Sequence, residues 1–126
     1  MKTIIAGSRS ISDYDLIKRI LNTVNKDIGI TTVVSGTANG VDKMGERWAV
    51  ENHLPVEFFP ADWDKYGKSA GPKRNIQMAE NSDALICIWD GSSKGSKHMY
   101  DHMASLNKLC YLFNVPNGTF TKINKG

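Results

Sequence analysis

The chain has 126 residues, which suits one domain with one core. Hydrophobic residues make up 40% and charged residues 23%, an ordinary globular balance, and no apolar run is long enough to cross a bilayer. The net charge of +3 lacks the basic excess of a dedicated nucleic-acid binder, the two cysteines form no disulfide framework or thiolate metal motif, and "MKTIIAGSRS" has too short an apolar part for a secretory signal. A cytoplasmic protein with no membrane partner is therefore expected, and nucleic acid is not expected as a partner. Charge clustering says more than the total. Lys65, Lys68, Lys73 and Arg74 fall within ten residues, with Lys94 and Lys97 further on. Such a group is either a solvated face or the lining of an anion site. Cys87 and Cys110 each sit in an apolar run and read as buried free thiols.

In chain order, Lys2 to Ala6 reads as a short strand that runs into the turn "GSRSISD". Ser12 or Asp13 can cap the next helix, in which Leu16, Ile17, Ile20, Leu21 and Val24 recur at helical spacing. Thr31 to Val34 is a β-branched second strand, ended by "SGTANG". A helix over Val41 to Asn52 carries Met44, Trp48 and Ala49 on one side. "LPVEFFPA" supplies a third strand closed by Pro60. A polar, aromatic loop is expected over Asp62 to Gly71, followed by a helix with Pro72 in its first turn. Ala84 to Trp89 is almost wholly apolar, as in a central parallel strand covered on both faces. A helix over Ser96 to Asn107 offers Met99, Met103 and Leu106 for packing, and Leu109 to Val115 is the last long strand.

The alternation of strands and helices predicts an α/β domain of three layers, Rossmann-like, with a mostly parallel sheet of about five strands between helices. One domain over residues 1–115 is expected, then a polar C-terminal tail over 116–126 with room for an edge strand.

In such sheets ligands sit beyond the carboxyl ends of the strands. Here those ends are Gly7–Asp13, Ser35–Asp42, Pro60–Arg74 and Asp90–Ser96, and three of them are rich in Gly and Ser. Glycine lets backbone approach a ligand, and the N–H groups of the following helix starts attract anions. Arg9 can grip a phosphate or carboxylate with its fork, or pair with Asp42 or Glu46. Asp42 can accept from a ribose hydroxyl or complement the helix dipole. Arg74 is the strongest single phosphate candidate, with Asn75 beside it, and Lys68 can close over a ligand. Trp63 and Tyr66 either stack on a base or pack the loop. Asp90 stands at the lip of the fourth strand, where it can orient a sugar or a water. His98 and His102 share a helix face, but a third ligand is missing, so no metal is expected. The Walker lysine motif and the GxGxxG fingerprint are both absent, and no cofactor is expected.

Four segments carry a resemblance to a known family: "GSRSISD", "VVSGTANGVDKMGERWA", "FPADWDKYGKSAGPKRNIQM" and "SDALICIWDGSSKGSKHM". Together they resemble the YspA-like branch of the SLOG superfamily, small Rossmann-like proteins of bacteria and phages. The resemblance implies a phosphorylated nucleoside or nucleotide-derived ligand at the carboxyl edge of the sheet, bound for sensing or sequestration, in a homo-oligomer. It implies ligand contacts from Gly7, Ser8 and Arg9; from Gly36, Gly40 and Asp42, with Glu46 and Arg47 behind them; from Lys68, Gly71, Arg74 and Asn75; and from Asp90, Gly91, Ser93, Gly95 and Ser96. The related LOG enzymes, which cleave ribotides, carry Pro-Gly-Gly-x-Gly-Thr-x-x-Glu after the corresponding strand. Here Trp89 and Asp90 replace the proline region, and Lys97, His98 and Met99 follow where the glutamate belongs. The LOG arginine is kept as Arg74, while the next lysine is Asn75. The alternatives that stay open are an N-glycosidic hydrolase, with Arg74 on phosphate and Asp90 or Glu46 as carboxylate, and a single-stranded DNA binder.

Overall fold

The structure, a computed structural model, describes residues 1–124. Six strands form one sheet: β1 (Lys2–Gly7), β2 (Thr32–Ser35), β3 (Val56–Phe58), β4 (Ala84–Trp89), β5 (Leu109–Asn114) and β6 (Thr119–Ile123). Their order is β3-β2-β1-β4-β5-β6, with β6 alone running antiparallel to its neighbour. The expectation of about five strands is thus one short, because the tail folds back as β6. Gly118, at φ 65°, makes that turn in the left-handed region. β6 is fastened by Lys122 Nζ, 2.7 Å from Asp27 Oδ2, and the Tyr111 hydroxyl donates to the same carboxylate oxygen. The end of the expected tail, residues 125–126, lies outside the described residues.

Five helices connect the strands: α1 (Tyr14–Ile28), α2 (Val41–Glu51), α3 (Trp63–Tyr66), α4 (Ala70–Glu80) and α5 (Lys94–Ser105). The Asp13 carboxylate caps α1 by accepting from Leu16 N–H, and Gly29 closes that helix in the left-handed conformation. The core is divided by the sheet. Ile17, Leu21 and Val24 of α1 and Trp48 of α2 pack with Ile5, Val33 and Ile86 on one face. Met78 of α4 and Met99 and Met103 of α5 pack with Ile4, Val34, Leu85 and Cys87 on the other. β4 is buried along nearly its whole length because both faces are covered. Both cysteines are free and buried.

Three local expectations differ from the structure. The segment expected as a loop over Asp62 to Gly71 is helical: α3, a 3₁₀ turn over Gly67–Ser69, and the start of α4. The Asp62 side chain accepts from Lys65 N–H and so nucleates the first turn. Next, α5 begins at Lys94, because Ser93 is the cap. Finally, Leu106 lies just past the end of α5 and is exposed rather than packed. Among the described residues no helix is long and apolar enough to cross a membrane.

α2 crosses β1 at closest approach through Gly45. A Cβ there would lie 2.7 Å from Ile5 Cγ2 and 2.9 Å from its Cβ. Alanine would add up to ~1 kcal/mol of helix propensity but must overpack a filled core, at ~1–3 kcal/mol. Gly45→Ala is therefore expected to lower the urea midpoint, with an unchanged dependence on denaturant, in equilibrium unfolding.

Candidate functional site

The chain leaves β1 outward through β2 and β3, then returns to place β4 on the other side of β1. Strand order therefore reverses between β1 and β4, and the crevice at their carboxyl ends is where α/β sheets take ligands. A cavity of about 660 Å³ opens there. Ala6 and Gly7 of β1, Met78 of α4 and Met99 of α5 give it an apolar floor. Its rim carries Arg9, Ser10, Asp42, Arg74, Asn75, Asp90 and the start of α5, with Trp63 to one side.

One polar network fixes the rim. Arg74 donates through Nη1 to the Gly36 carbonyl and through Nε to Asn75 Oδ1, at 3.1 Å. Asn75, only 7% exposed, donates through Nδ2 to the Gly95 carbonyl at 3.3 Å and faces His98 Nδ1 at 3.2 Å. The β2–α2 turn, α4 and α5 are thereby tied together around the cavity. Gly36 has to be small here. A Cβ would lie 2.8 Å from Arg74 Nη1 and 2.9 Å from Asp42 Oδ2.

A second network shapes the β4–α5 loop. Asp90 Oδ1 accepts from the Ser92 and Ser93 N–H groups, both at 2.9 Å, and Oδ2 accepts from the Ser10 hydroxyl at 2.8 Å. The Asp90 N–H donates to Ser8 Oγ at 2.9 Å. These donors hold the Asp90 carboxyl well below the usual carboxylate range, the backbone bonds from Ser92 and Ser93 most of all. Asp90 is thus an ionised loop organiser with its lone pairs engaged, which suits it poorly to proton transfer.

Asp42 is the opposite case. It lies in the first turn of α2, is 5% exposed, and its Oδ2 accepts from Ala38 N–H at 3.2 Å. Burial pushes its pKa up to about 6, against the lowering effects of that bond and of the Arg74 charge. Burial also lowers the Arg74 pKa, the Asp42 charge opposes that, and the nearby Arg9 charge adds to the lowering. Two guanidinium groups thus repel across one cavity.

The cavity collects Gly7, Arg9, Asp42, Trp63, Gly71, Arg74, Asn75, Asp90, Ser93, Gly95 and Ser96 from the sequence candidates. The others stand elsewhere. Ser8 is fully buried and acts through Asp90. Gly36 seats Arg74 from behind. Gly40, at φ 78°, lets the backbone pass Ser8 and Arg9, where a Cβ would lie 2.6 Å from the Ser8 carbonyl. Gly91 is a left-handed turn residue at φ 89°. Glu46 accepts from Ser35 Oγ at 2.6 Å and lies 3.7 Å from Lys43 Nζ. Arg47 stacks 3.9 Å over the Tyr14 ring and pairs with Glu51 at 3.5 Å, on the α1 side. Lys68 is exposed on the 3₁₀ turn. The alternative pairing of Arg9 with Asp42 or Glu46 is not formed among the described residues. The cavity also brings in Ser10, Ala38, Pro72, Met78 and Met99, which the sequence reading did not select as site residues, together with Lys94 of the cation cluster and His98 of the histidine pair. Helical spacing was the usable signal, since Met78 follows Arg74 by one turn and Met99 follows Ser96. His98 and His102 stack with centroids 6.2 Å apart, and among the described residues no group of three or more acidic, His or Cys side chains is placed to hold a metal.

A mostly parallel sheet of order β3-β2-β1-β4-β5-β6 between two helix layers defines a Rossmann-like protein, a fold that takes ligands where the strand order reverses. The chain belongs to the YspA, cpYpsA-related SLOG family, whose model matches residues 1–66. The first two motif segments fall inside that match. Gene 61 protein of Mycobacterium phage D29 is 30% identical over 104 residues, covering 77% of this chain and 83% of that protein. The crystal structure of DNA processing protein A (DprA) from Streptococcus pneumoniae shares the fold, with a TM-score of 0.67 and 17% identity over 88% of this chain. The chain spans about half the length of that DprA chain, 49%. This likeness corrects one expectation. Modest net charge was taken to count against nucleic acid as a partner, yet a protein named for DNA processing is built on the same architecture, so that expectation is withdrawn.

The buried Asp42 carboxyl carries a pH signature. Its folded-state pKa near 6 lies above the ordinary value near 3.8, so the folded protein favours its protonated form. The stability that goes with this is full below about pH 4 and is lost as pH rises through 6. Asp42→Asn is expected to flatten that loss. Urea midpoints taken from pH 4 to 8 should diverge between variant and wild type, by on the order of 2 kcal/mol in the variant's favour at the upper end.

Proposed function

We propose that the cavity binds a phosphorylated nucleoside or a nucleotide-derived small molecule, and that the protein senses or sequesters it. One observation carries this reading. Arg9 and Arg74 line the same cavity, and among the described residues neither has an ion-paired carboxylate. Two guanidinium groups facing one cavity, with the buried Asp42 carboxyl acting on Arg74 only from beyond ion-pair distance, make an anion site, because a bound phosphate relieves the repulsion and takes charge-assisted hydrogen bonds. Arg74 has Nη1 and Nε engaged by the protein, which leaves Nη2 for a ligand. The first turn of α5 adds backbone N–H groups and the favourable end of a helix dipole. The half-exposed Trp63 ring and the thioethers of Met78 and Met99 offer a base an aromatic and polarizable wall.

Titration calorimetry with the four nucleoside 5′-monophosphates tests the site. Arg9→Ala removes a side chain with no internal partner and is expected to leave the fold intact. It should weaken binding ~10-fold or more, as expected for one hydrogen-bonded charge pair. Arg74→Ala should weaken it at least as much. Binding that neither variant changes would refute the reading. Native mass spectrometry of the protein purified from cells should reveal a copurifying phosphorylated compound.

A second reading, hydrolysis of the same ligand, is favoured by Asp42. A cavity carboxyl poised near pH 6 beside Arg74 can hold or pass a proton to a water or a departing base. Asp90 suits that role less well because its donors hold it ionised, and Glu46 because it does not line the cavity. Release of free base from a ribotide by wild type, lost in Asp42→Asn, would favour the enzyme. Ligand recovered unchanged would favour the binder.

A further inference from the structure

We infer that the ligand is larger than one nucleotide: a phosphodiester-linked dinucleotide unit spanning two hollows that meet at Arg74. The inference rests on the nucleotide reading above and extends it. Beside the first cavity lies a second hollow of about 560 Å³ between α3 and α4, lined almost wholly by the third motif segment. Arg74 lines both. Each volume falls within the ~300–1,000 Å³ that suits a small-molecule site, so each takes one nucleoside.

The second hollow offers a base an aromatic ring and a backbone charge two cations, Lys73 and Arg74, set against the carboxylates of Asp62, which caps α3, and Glu80 at the far end of α4. Tyr66 lines it, and its ring is 40% exposed. Lys65 and Lys73 hold their ammonium groups 5.1 and 4.9 Å from the Tyr66 ring centroid, and neither has an ion pair among the described residues. An exposed cation–π contact contributes only ~0.5–1 kcal/mol. The lysines can therefore swing to a phosphate while a base takes the ring face, an exchange that costs little and gains stacking. Pro60 bounds the same hollow with a rigid apolar ring. A linking phosphodiester carries one charge and two free oxygens, which matches the single open edge of Arg74 between the hollows. Arg9, exposed on the rim of the first cavity, is then left for the 5′-phosphate.

The test compares nucleoside 5′-monophosphates with the matching 5′-phosphorylated homodinucleotides, in ribose and deoxyribose form, by calorimetry and Trp63 fluorescence. Wild type should bind a dinucleotide at least tenfold more tightly than its mononucleotide. Tyr66→Ala should remove that advantage and leave mononucleotide affinity at the wild-type value, while Lys73→Ala should reduce its salt dependence. A dinucleotide that binds no better than the mononucleotide, or an advantage that survives Tyr66→Ala, overturns the two-hollow ligand and leaves the mononucleotide site standing. Failure of both probes to bind removes the nucleotide reading and this one with it. A 5′-phosphorylated twelve-mer separates the sources of the unit. Affinity equal to the dinucleotide's identifies a strand end, and exclusion of the twelve-mer identifies a free compound.

Discussion

The side chain of Arg74 hangs from the Gly36 carbonyl just past β2, with α2, β3 and α3 lying between them in the chain, and the shape of the ligand edge follows from that attachment. Its Nη1 donates to Gly36 at the end of β2, its Nε to Asn75 on its own helix, and Asn75 passes the connection on to α5. Three turns that would otherwise move independently are thereby held in one arrangement. A guanidinium fixed in this way has lost its rotamer freedom before a ligand arrives, so binding incurs little of the usual ordering cost. The arrangement tolerates no Cβ at Gly36, which explains a glycine that does not itself face the cavity.

The same edge is where the fold is least comfortable. Asp42 is buried without an ion pair within 4.0 Å, and burial drives its pKa toward neutrality. Arg9 and Arg74 repel. Fold stability comes from elsewhere, from the two packed faces of the sheet and from helices such as α1 that are capped at both ends. Strain of this kind concentrates at functional sites because removing it would remove the field that attracts the ligand.

Much of this was legible in the sequence, for physical reasons. β4 is apolar throughout because both its faces are covered, and a run of six such residues has few other readings. α1 announces itself through Asp13, its apolar spacing and Gly29. The carboxyl edge could be listed once strands and helices alternate, and that list brought Arg9, Asp42, Arg74 and Asn75 to one cavity. What failed depended on side-chain direction. Arg47 lies five residues after Asp42, well over a quarter-turn round the helix, so it points to Tyr14 rather than to the ligand. Glu46 is nearer in angle but a turn further from the edge, and it reaches Ser35 instead. Lys68 sits on a 3₁₀ turn that sequence rules read as loop, since the turn has no side-chain cap and the cap of α3 before it, Asp62, looks like any other polar loop residue. Asp90 looked like a reactive group because a lip carboxylate is visible in sequence and its hydrogen bonds are not.

β6 has a meaning of its own. β5 carries Leu109, Cys110, Tyr111, Leu112 and Phe113 in succession, an apolar segment of strong strand preference. Left as a bare margin, it would invite neighbouring molecules to add strands without limit. The antiparallel ribbon Thr119–Ile123 covers it and turns outward a margin that carries two threonines and Lys122, anchored to α1 through Asp27. The hairpin thus covers that margin within the chain itself, and its hold is shared among the β5–β6 ladder, Phe120 against Tyr111 and Phe113, and the Lys122–Asp27 contact.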